Sequence, residues 1–152
     1  MLGAHYAEAL ETLLFYHPQQ GRFRRSIVDS VERHGSPRIM KQNGGLRVQF
    51  PKLQDVQTLY ALAGGAEPAE LVGAMVYTRT DERTIEILHL VVQDEYTARG
   101  EKAEEGLTFL LVEELCRVGL RIRGVQFVRL AYDRGQVVLK QIQTTIPQTG
   151  NA

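Results

Sequence analysis

Two ionisable side chains interrupt the most apolar stretch of this 152-residue chain. Glu86 and His89 lie within residues 84–92, which are otherwise mostly aliphatic. A carboxylate beside buried apolar neighbours is expected to have its pKa raised toward a range useful for acid–base chemistry. Either residue is therefore a candidate for proton transfer. The alternative for each is a hydrogen-bonded residue of the sheet with no chemical role.

A second candidate site follows this stretch, where Arg99 and Gly100 precede an amphipathic helix predicted for residues 102–119, and Lys102 is the first residue of that helix. Backbone N–H groups at a helix N-terminus form an anion site, and a glycine lets a phosphate approach closely. Residues 94–105 nevertheless carry a net charge of −3, because the two cations are outnumbered by Asp94, Glu95, Glu101, Glu104 and Glu105. Acidic side chains on a first turn stabilise a helix through its dipole, but they also repel phosphate.

Other chemically active residue types give little support for a site. The four histidines, including His89, share no metal-ligand spacing, so no metal site is predicted. Cys116 is the single cysteine, which excludes an internal disulfide and a cysteine-based zinc site. Its position in the predicted long helix indicates a buried thiol without a role in chemistry.

One basic run, residues 22–25 (RFRR), mixes cations with an aromatic ring and could contact phosphates. The alternative is that Phe23 begins the apolar stripe of a helix and that the arginines are solvated. No nucleic-acid-binding motif accompanies the run, so nucleic acid is not an expected partner.

The predicted strand at residues 84–92 determines how its two ionisable residues are presented. Strict alternation places Glu86 on one face with Leu88 and Leu90, and it places His89 on the other face with Ile87 and Val91. At most one of the two would then point into a given cleft. Because the strand is apolar on both faces, it is expected to be a central strand with cover on each side.

The remaining periodicity predicts one domain over residues 1–152. Two N-terminal helices occupy residues 1–35, and Asn43-Gly44-Gly45 supplies the tight turn of a hairpin. The long helix should bury a stripe formed by Ala103, Leu107, Leu110, Leu111, Leu115 and Val118. Strands are predicted at residues 38–42, 46–50, 57–63, 71–78, 84–92, 125–132 and 136–142, and residues 143–152 are predicted to be a loose tail.

Residues 56–132 resemble the GNAT superfamily of N-acetyltransferases. The order of two helices, several antiparallel strands, a long helix and two further strands is similar to that family. The resemblance is sharpest from residue 85 to residue 111, where a buried strand ending Leu90-Val91-Val92 leads through a loop into the long helix. In the family that loop reads Arg or Gln, two residues, Gly, one residue, then Gly or Ala. This chain has Thr97, Gly100 and Lys102 at those places, so the central glycine agrees and the coenzyme A loop is degenerate.

The resemblance implies a mixed α/β (α+β) fold with a GNAT-like, mostly antiparallel central sheet, N-terminal helices and one long helix after the central strand. It also implies acetyl-CoA or a related acyl-CoA as cofactor, bound through N–H groups of residues 97–103. The residues implied in cofactor binding are Val91, Val92, Arg99, Gly100, Lys102 and Ala103. Glu86 is then the better candidate for the base that deprotonates an amine, and His89 is the second. The amine would belong to a small molecule or a protein.

The chain also departs from the family after residues 125–132. The family usually has a further helix there, whereas Asp133-Arg134-Gly135 alone separates two predicted strands. Tyr132 is therefore not assigned the role of the family tyrosine that helps to protonate the leaving thiolate.

Two function classes follow from these observations. The first is an acyl-CoA N-acyltransferase, and the second is a non-catalytic module that keeps the fold and binds a partner. Neither a secretory signal nor an apolar run of the ~20 residues that a membrane helix needs is present, so no membrane partner and a cytoplasmic location are expected.

Overall fold

The chain has a mixed α/β architecture with two β-sheets and a few helices. The computed structural model describes residues 2–16, 31–65, 67–130 and 138–141. In chain order the strands and α-helices are β1 (Leu2–Gly3), α1 (Ala7–Phe15), β2 (Arg38–Gln42), β3 (Gly45–Gln49), β4 (Val56–Ala63), β5 (Glu70–Arg79), β6 (Thr84–Val92), α2 (Leu107–Leu120), β7 (Phe127–Leu130) and β8 (Val138–Gln141).

The two sheets differ in size and in strand direction. The small sheet has the order β1-β3-β2 and is antiparallel. The large sheet has the order β4-β5-β6-β7-β8, and its neighbours are antiparallel except for the parallel pair β6–β7. Parallel strands require a crossover, and α2 lies in the connection between β6 and β7.

Apolar residues form two clusters that correspond to the two faces of the large sheet. Leu10, Leu13 and Leu14 of α1 are buried in one cluster together with Leu88 and Val91 of β6. The second cluster joins side chains of α2 to the opposite face of β6, through Leu111, Leu115, Ile85 and Ile87. The prediction that β6 is a central strand with cover on both faces is confirmed.

The predicted turn chemistry is confirmed in the first hairpin. Asn43 and Gly44 have φ angles of 51° and 77°, which are the positive values of a two-residue turn that matches the twist of the strands. The hairpin pairs Gln42 with Gly45 directly across this turn. The hairpin of β5 and β6 also matches its prediction: β6 has the predicted bounds, and β5 extends one residue beyond its predicted bounds at each end.

A bulge in β6 contradicts the predicted assignment of faces. Val76 of β5 pairs with His89, but the next residue, Tyr77, pairs with Ile87, so Leu88 is an extra residue in β6. Because Val76 and Thr78 lie on one face of β5, their partners His89 and Glu86 lie on that same face. The prediction that Glu86 and His89 face opposite sides of the sheet is therefore wrong.

The long helix begins later than its pattern predicts. Helix α2 starts at Leu107 instead of residue 102, because Gly106 adopts a left-handed conformation (φ 59°) after a short 3-10 turn at Ala103–Glu105. Leu111 and Leu115 are buried as expected, and Cys116 is also buried. Leu110 is 51% exposed, so its place in the buried stripe was predicted wrongly.

Several predictions concern residues outside the described ranges. These are most of the second N-terminal helix, the basic run at residues 22–25, the turn at residues 133–135 together with Tyr132, and the tail at residues 143–152. The end of that second helix is described. Residues 31–34 are helical, and Gly35 has a φ of 80° and donates its N–H to the Val31 carbonyl at 2.8 Å, as expected for a glycine stop. None of the described helices is long and apolar enough to cross a membrane.

Candidate functional site

The parallel strands β6 and β7 bring Glu86 and Arg129 into one row of the large sheet. The two residues are register partners, and Glu86 also pairs with Thr78 on its other side. Glu86 is 3% exposed, and its Oε2 accepts hydrogen bonds from Arg129 Nη2 at 2.6 Å and from Arg129 Nε at 3.1 Å. The candidate base is thus a carboxylate already engaged by a guanidinium, a strong charge-assisted pairing.

His34 approaches the other oxygen of the same carboxylate. Its Nε2 lies 3.8 Å from Glu86 Oε1, and its side chain is 15% exposed. Burial lowers the pKa of His34, and the Glu86 carboxylate partly opposes that effect, whereas Arg33 and Lys52 add to it. The backbone carbonyl of His34 also accepts the Lys52 N–H at 3.3 Å, which ties this helix end to the turn after β3.

This polar cluster of His34, Glu86 and Arg129 was only partly predictable. Glu86 was singled out, but Arg129 and His34 were not. An arginine within the short apolar strand FVRL was a usable signal, because a charge in a covered strand usually has a partner of opposite sign. Nothing in the local sequence connects His34 with residue 86, since their contact depends on tertiary packing alone.

The predicted coenzyme A loop uses its own N–H groups for internal hydrogen bonds. The N–H of Thr97 donates to the Asp94 carbonyl at 3.2 Å, and that of Gly100 donates to the Thr97 carbonyl at 2.9 Å. The N–H groups of Lys102 and Ala103 donate to the carbonyls of Glu95 and Gly100 at 2.6 Å and 3.2 Å. These are groups that a bound pyrophosphate would require, so this conformation leaves few donors for it.

Gly100 has a structural reason to be glycine. A Cβ atom at this position would lie 2.3 Å from the carbonyl oxygens of both Asp94 and Glu95. No side chain fits without displacing the loop backbone. The one residue that agrees with the family loop is therefore explained by the packing of the loop against itself, without any ligand.

The cations of the loop do not converge on an anion site. Lys102 Nζ lies 3.8 Å from Glu95 Oε2 and 5.2 Å from the centre of the Tyr96 ring, and its hydrogen bond to Tyr96, followed by the charge of Glu95, raises its pKa. Arg99 is exposed. Val91 and Val92 belong to different apolar clusters and pair with Ala74 and Gly73.

An open cleft lies beside the turn that follows β6. It has a volume of about 520 Å³ and is lined on one side by α1 and its flanking residues and on the other by Gln93 and Asp94. Glu8 and Asp94 place carboxylates on both sides of it. Their charge disfavours a diphosphate here, so the cleft does not fit the phosphate portion of coenzyme A any better than the loop does.

The described residues contain no group of three or more His, Cys, Asp or Glu side chains that could hold a metal ion. In comparisons with known proteins, no family model, no curated protein and no solved structure matches this chain. The function is therefore inferred from the arrangement of the chain's own residues.

Proposed function

We propose that this chain is an acyltransferase-like domain that works as a non-catalytic binding module. The observation that carries the proposal is the internal hydrogen bonding of the loop at residues 97–103, whose N–H groups at Thr97, Gly100, Lys102 and Ala103 already have carbonyl acceptors. A coenzyme A site depends on such groups, because an anion at a helix N-terminus is held by N–H groups that have no other acceptor.

Two further features support the absence of acyl transfer. The helix that should present its N-terminus to the phosphates begins at Leu107, five residues after Lys102. Glu86, the better candidate base, is 3% exposed and tied to Arg129, so an incoming amine would have to displace an ion pair to reach it. Acyl-CoA does not fit these residues, and no reaction step is assigned to them.

The alternative function is an acyl-CoA N-acyltransferase acting on an amine of a small molecule or a protein. One observation favours it. The unit of β6, loop, α2 and parallel β7 has the strand–loop–helix–strand order that the family resemblance predicts. A fold can host many functions, so this order does not decide between catalysis and binding.

Acetyl-CoA binding separates the two functions. A ligand that binds the folded state at a hundred times its Kd adds about 2.7 kcal/mol of stability, which for a chain of this size raises the melting temperature by roughly 5–10 °C. We expect no such rise at about 1 mM acetyl-CoA. We also expect no change in the amide NMR signals of residues 97–103.

A clear rise in melting temperature would contradict the proposal if it is lost in the R99A/K102A double variant, which removes two exposed cations without crowding the loop. Gly100→Val is unsuitable as this control, because any Cβ at Gly100 collides with loop carbonyls whether or not a ligand binds.

A further inference from the structure

One face of helix α1 forms a wall of the open cleft beside the turn after β6, which we call the α1 cleft. The lining residues of this face recur at helical spacing, from the 3-10 turn before the helix to the residue after it: His5, Glu8, Ala9, Thr12 and Tyr16. All five are exposed, whereas Leu10 and Leu14 of the same helix are buried in the cluster that contains Leu88 and Val91 of β6. Helix α1 thus packs in the core through one side and borders the cleft with the other.

The opposite wall of the α1 cleft is held in place by hydrogen bonds. The Gln93 N–H donates to the Val72 carbonyl at 2.8 Å, and Gln93 Nε2 donates to the Leu71 carbonyl at 2.9 Å. The carbonyl of the next residue, Asp94, accepts hydrogen bonds from the N–H and Oγ1 of Thr97 at 3.2 Å and 2.7 Å. Both walls are therefore formed before a ligand binds. The volume of about 520 Å³ is within the usual range of small-ligand sites, roughly 300–1,000 Å³.

The α1 cleft has a carboxylate on each wall and no lysine or arginine among its described lining residues. Glu8 lies on the helical wall, and Asp94 lies on the opposite one. The loop that begins at Asp94 extends this negative field, because residues 94–105 carry a net charge of −3. A cleft lined by one sign of charge concentrates ions of the opposite sign, so the α1 cleft is expected to attract a cation.

Aromatic and aliphatic groups in the lining indicate an organic cation instead of a metal ion. Tyr16 is 71% exposed at the end of α1, and an aromatic ring attracts an ammonium group to its face. Ala9 and Leu13 add apolar surface that an alkyl chain can cover. A metal ion needs several close ligands, and the described residues contain no group of three or more His, Cys, Asp or Glu side chains that could hold one.

We propose that the α1 cleft binds a primary alkylammonium group. The carboxylates of Glu8 and Asp94 accept the N–H hydrogen bonds of the ammonium, and the alkyl chain lies against Tyr16 and the apolar lining. Such a group has two sources, a free aliphatic amine and the side chain of a lysine, and both present the same chemistry. The inference rests on the proposed function, because it names the ligand of the binding module.

The test is a titration of the full chain with n-butylammonium at pH 7, followed by amide NMR. We expect saturable shifts at Glu8, Thr12, Gln93 and Asp94. The uncharged n-butanol has the same alkyl chain and should bind at least about tenfold more weakly. Glu8→Gln removes one of the two charges and should weaken binding of the amine at least about fivefold. Glu11→Gln is the matched control, since Glu11 is exposed on the same helix outside the lining, and it should change the affinity less than about twofold.

Two peptides distinguish the sources of the ammonium group. A blocked tripeptide with lysine between two glycines presents the lysine side chain, and the same peptide with norleucine in place of lysine is its uncharged control. Binding of the lysine peptide at least about tenfold tighter than that of n-butylammonium would identify a protein side chain as the ligand. Equal or weaker binding of the lysine peptide would identify a free amine.

The proposal is overturned if n-butylammonium does not saturate, if n-butanol binds equally well, or if the amide shifts lie outside the cleft. The comparison with n-butanol uses the unaltered chain, so it holds even if a variant fails to fold. Equal weakening by Glu8→Gln and Glu11→Gln would also overturn the proposal, because the amine would then respond only to the overall charge of α1.

Acetyl-CoA binding tests the proposed function separately. Amine binding at the cleft without acetyl-CoA binding at the loop is the expected combination. A rise in melting temperature with acetyl-CoA that is lost in R99A/K102A would contradict the proposed function, whereas the absence of amine binding would contradict only the assignment of the cleft.

Discussion

Glu86 and Arg129 face each other on the parallel strands β6 and β7, and Arg129 Nη2 lies 2.6 Å from Glu86 Oε2. The two side chains are unequally buried, with 4% of the Glu86 side chain exposed but 37% of that of Arg129. The ion pair therefore joins a carboxylate that is removed from water to a guanidinium that still reaches it. Removal of Arg129 leaves a buried carboxylate, whereas removal of Glu86 leaves a guanidinium that water can reach. The two changes should therefore lower the free energy of unfolding by different amounts.

We predict that Arg129→Met destabilises the chain more than Glu86→Gln. Removal of Arg129 leaves a buried carboxylate without its main partner and should cost about 3 kcal/mol, near the low end of the range for a broken buried pair. Replacement of Glu86 by an uncharged amide leaves an arginine that water can still hydrate, which should cost roughly 1–2 kcal/mol. Urea denaturation of both variants measures the difference.

The double variant E86Q/R129M is the control for this prediction. If the two side chains act as a pair, its loss of stability is smaller than the sum of the two single losses. Simple additivity would contradict the pairing of the two side chains. A larger loss for Glu86→Gln than for Arg129→Met would contradict the asymmetry drawn from their burial.

A second prediction concerns pH. Burial lowers the pKa of His34 in the folded chain below its ordinary value of 6.5, so between those two values the unfolded chain binds more protons than the folded one. The free energy of unfolding should therefore fall as the pH is lowered from about 7.5 to 5.5. His34→Gln, which cannot be protonated, should lose less stability over that interval, as measured by denaturant melts at each pH.

His5→Gln is the matched control for the pH effect, because His5 is exposed on the N-terminal 3-10 turn. It should keep the pH dependence of the wild-type chain. A pH dependence that is unchanged in His34→Gln would show that His34 does not carry the effect.

The sequence predicted features of the fold that depend on local conformation. Asn43 and Gly44 specify their turn through positive φ angles, and the alternation of β5 and β6 predicts a hairpin around residues 79–83. The bulge at Leu88 could not be predicted in the same way. Because β6 is apolar on both faces, one extra residue does not disturb its hydrophobic pattern. Strict alternation without the bulge therefore assigned Glu86 and His89 to opposite faces, which is wrong.

The candidate site was predicted less well than the fold, for a related reason. Ala103 and Leu107 keep the spacing of a helical stripe, so the pattern continues across Gly106 even though the backbone there is left-handed. The prediction of phosphate-binding N–H groups depended on a helix that starts at residue 102. Such a break depends on packing and loop hydrogen bonds, which amino-acid periodicity does not record.

A third prediction tests the explanation of Gly100. The Cβ of Gly100→Ala would lie 2.3 Å from two carbonyl oxygens of the backbone, so the loop must move, and we expect a loss of about 1–3 kcal/mol. Gly64→Ala is the matched control, since its Cβ would meet no atom of the described residues within 4 Å, and its effect should stay within about 0.5 kcal/mol. Equal stabilities of the two variants in denaturant melts would show that the tight packing of the loop is not the reason for glycine at residue 100.

The last prediction compares two neighbouring leucines of α2. Leu111 is 6% exposed in the cluster between α2 and the large sheet, and its Cδ1 would lie 3.3 Å from a Cβ placed on Gly73 of β5. Leu111→Ala should therefore remove buried contacts and leave a cavity, at a cost of about 2–5 kcal/mol. Leu110, on the next position of the same helix, is 51% exposed, and Leu110→Ala should cost less than about 1 kcal/mol. Alanine has the same helix propensity at both sites, so the difference between the two variants in urea melts reports burial alone. A loss below about 1 kcal/mol for Leu111→Ala would mean that α2 is rotated about its axis relative to the sheet, and the cluster it forms with β5 and β6 would have to be redrawn.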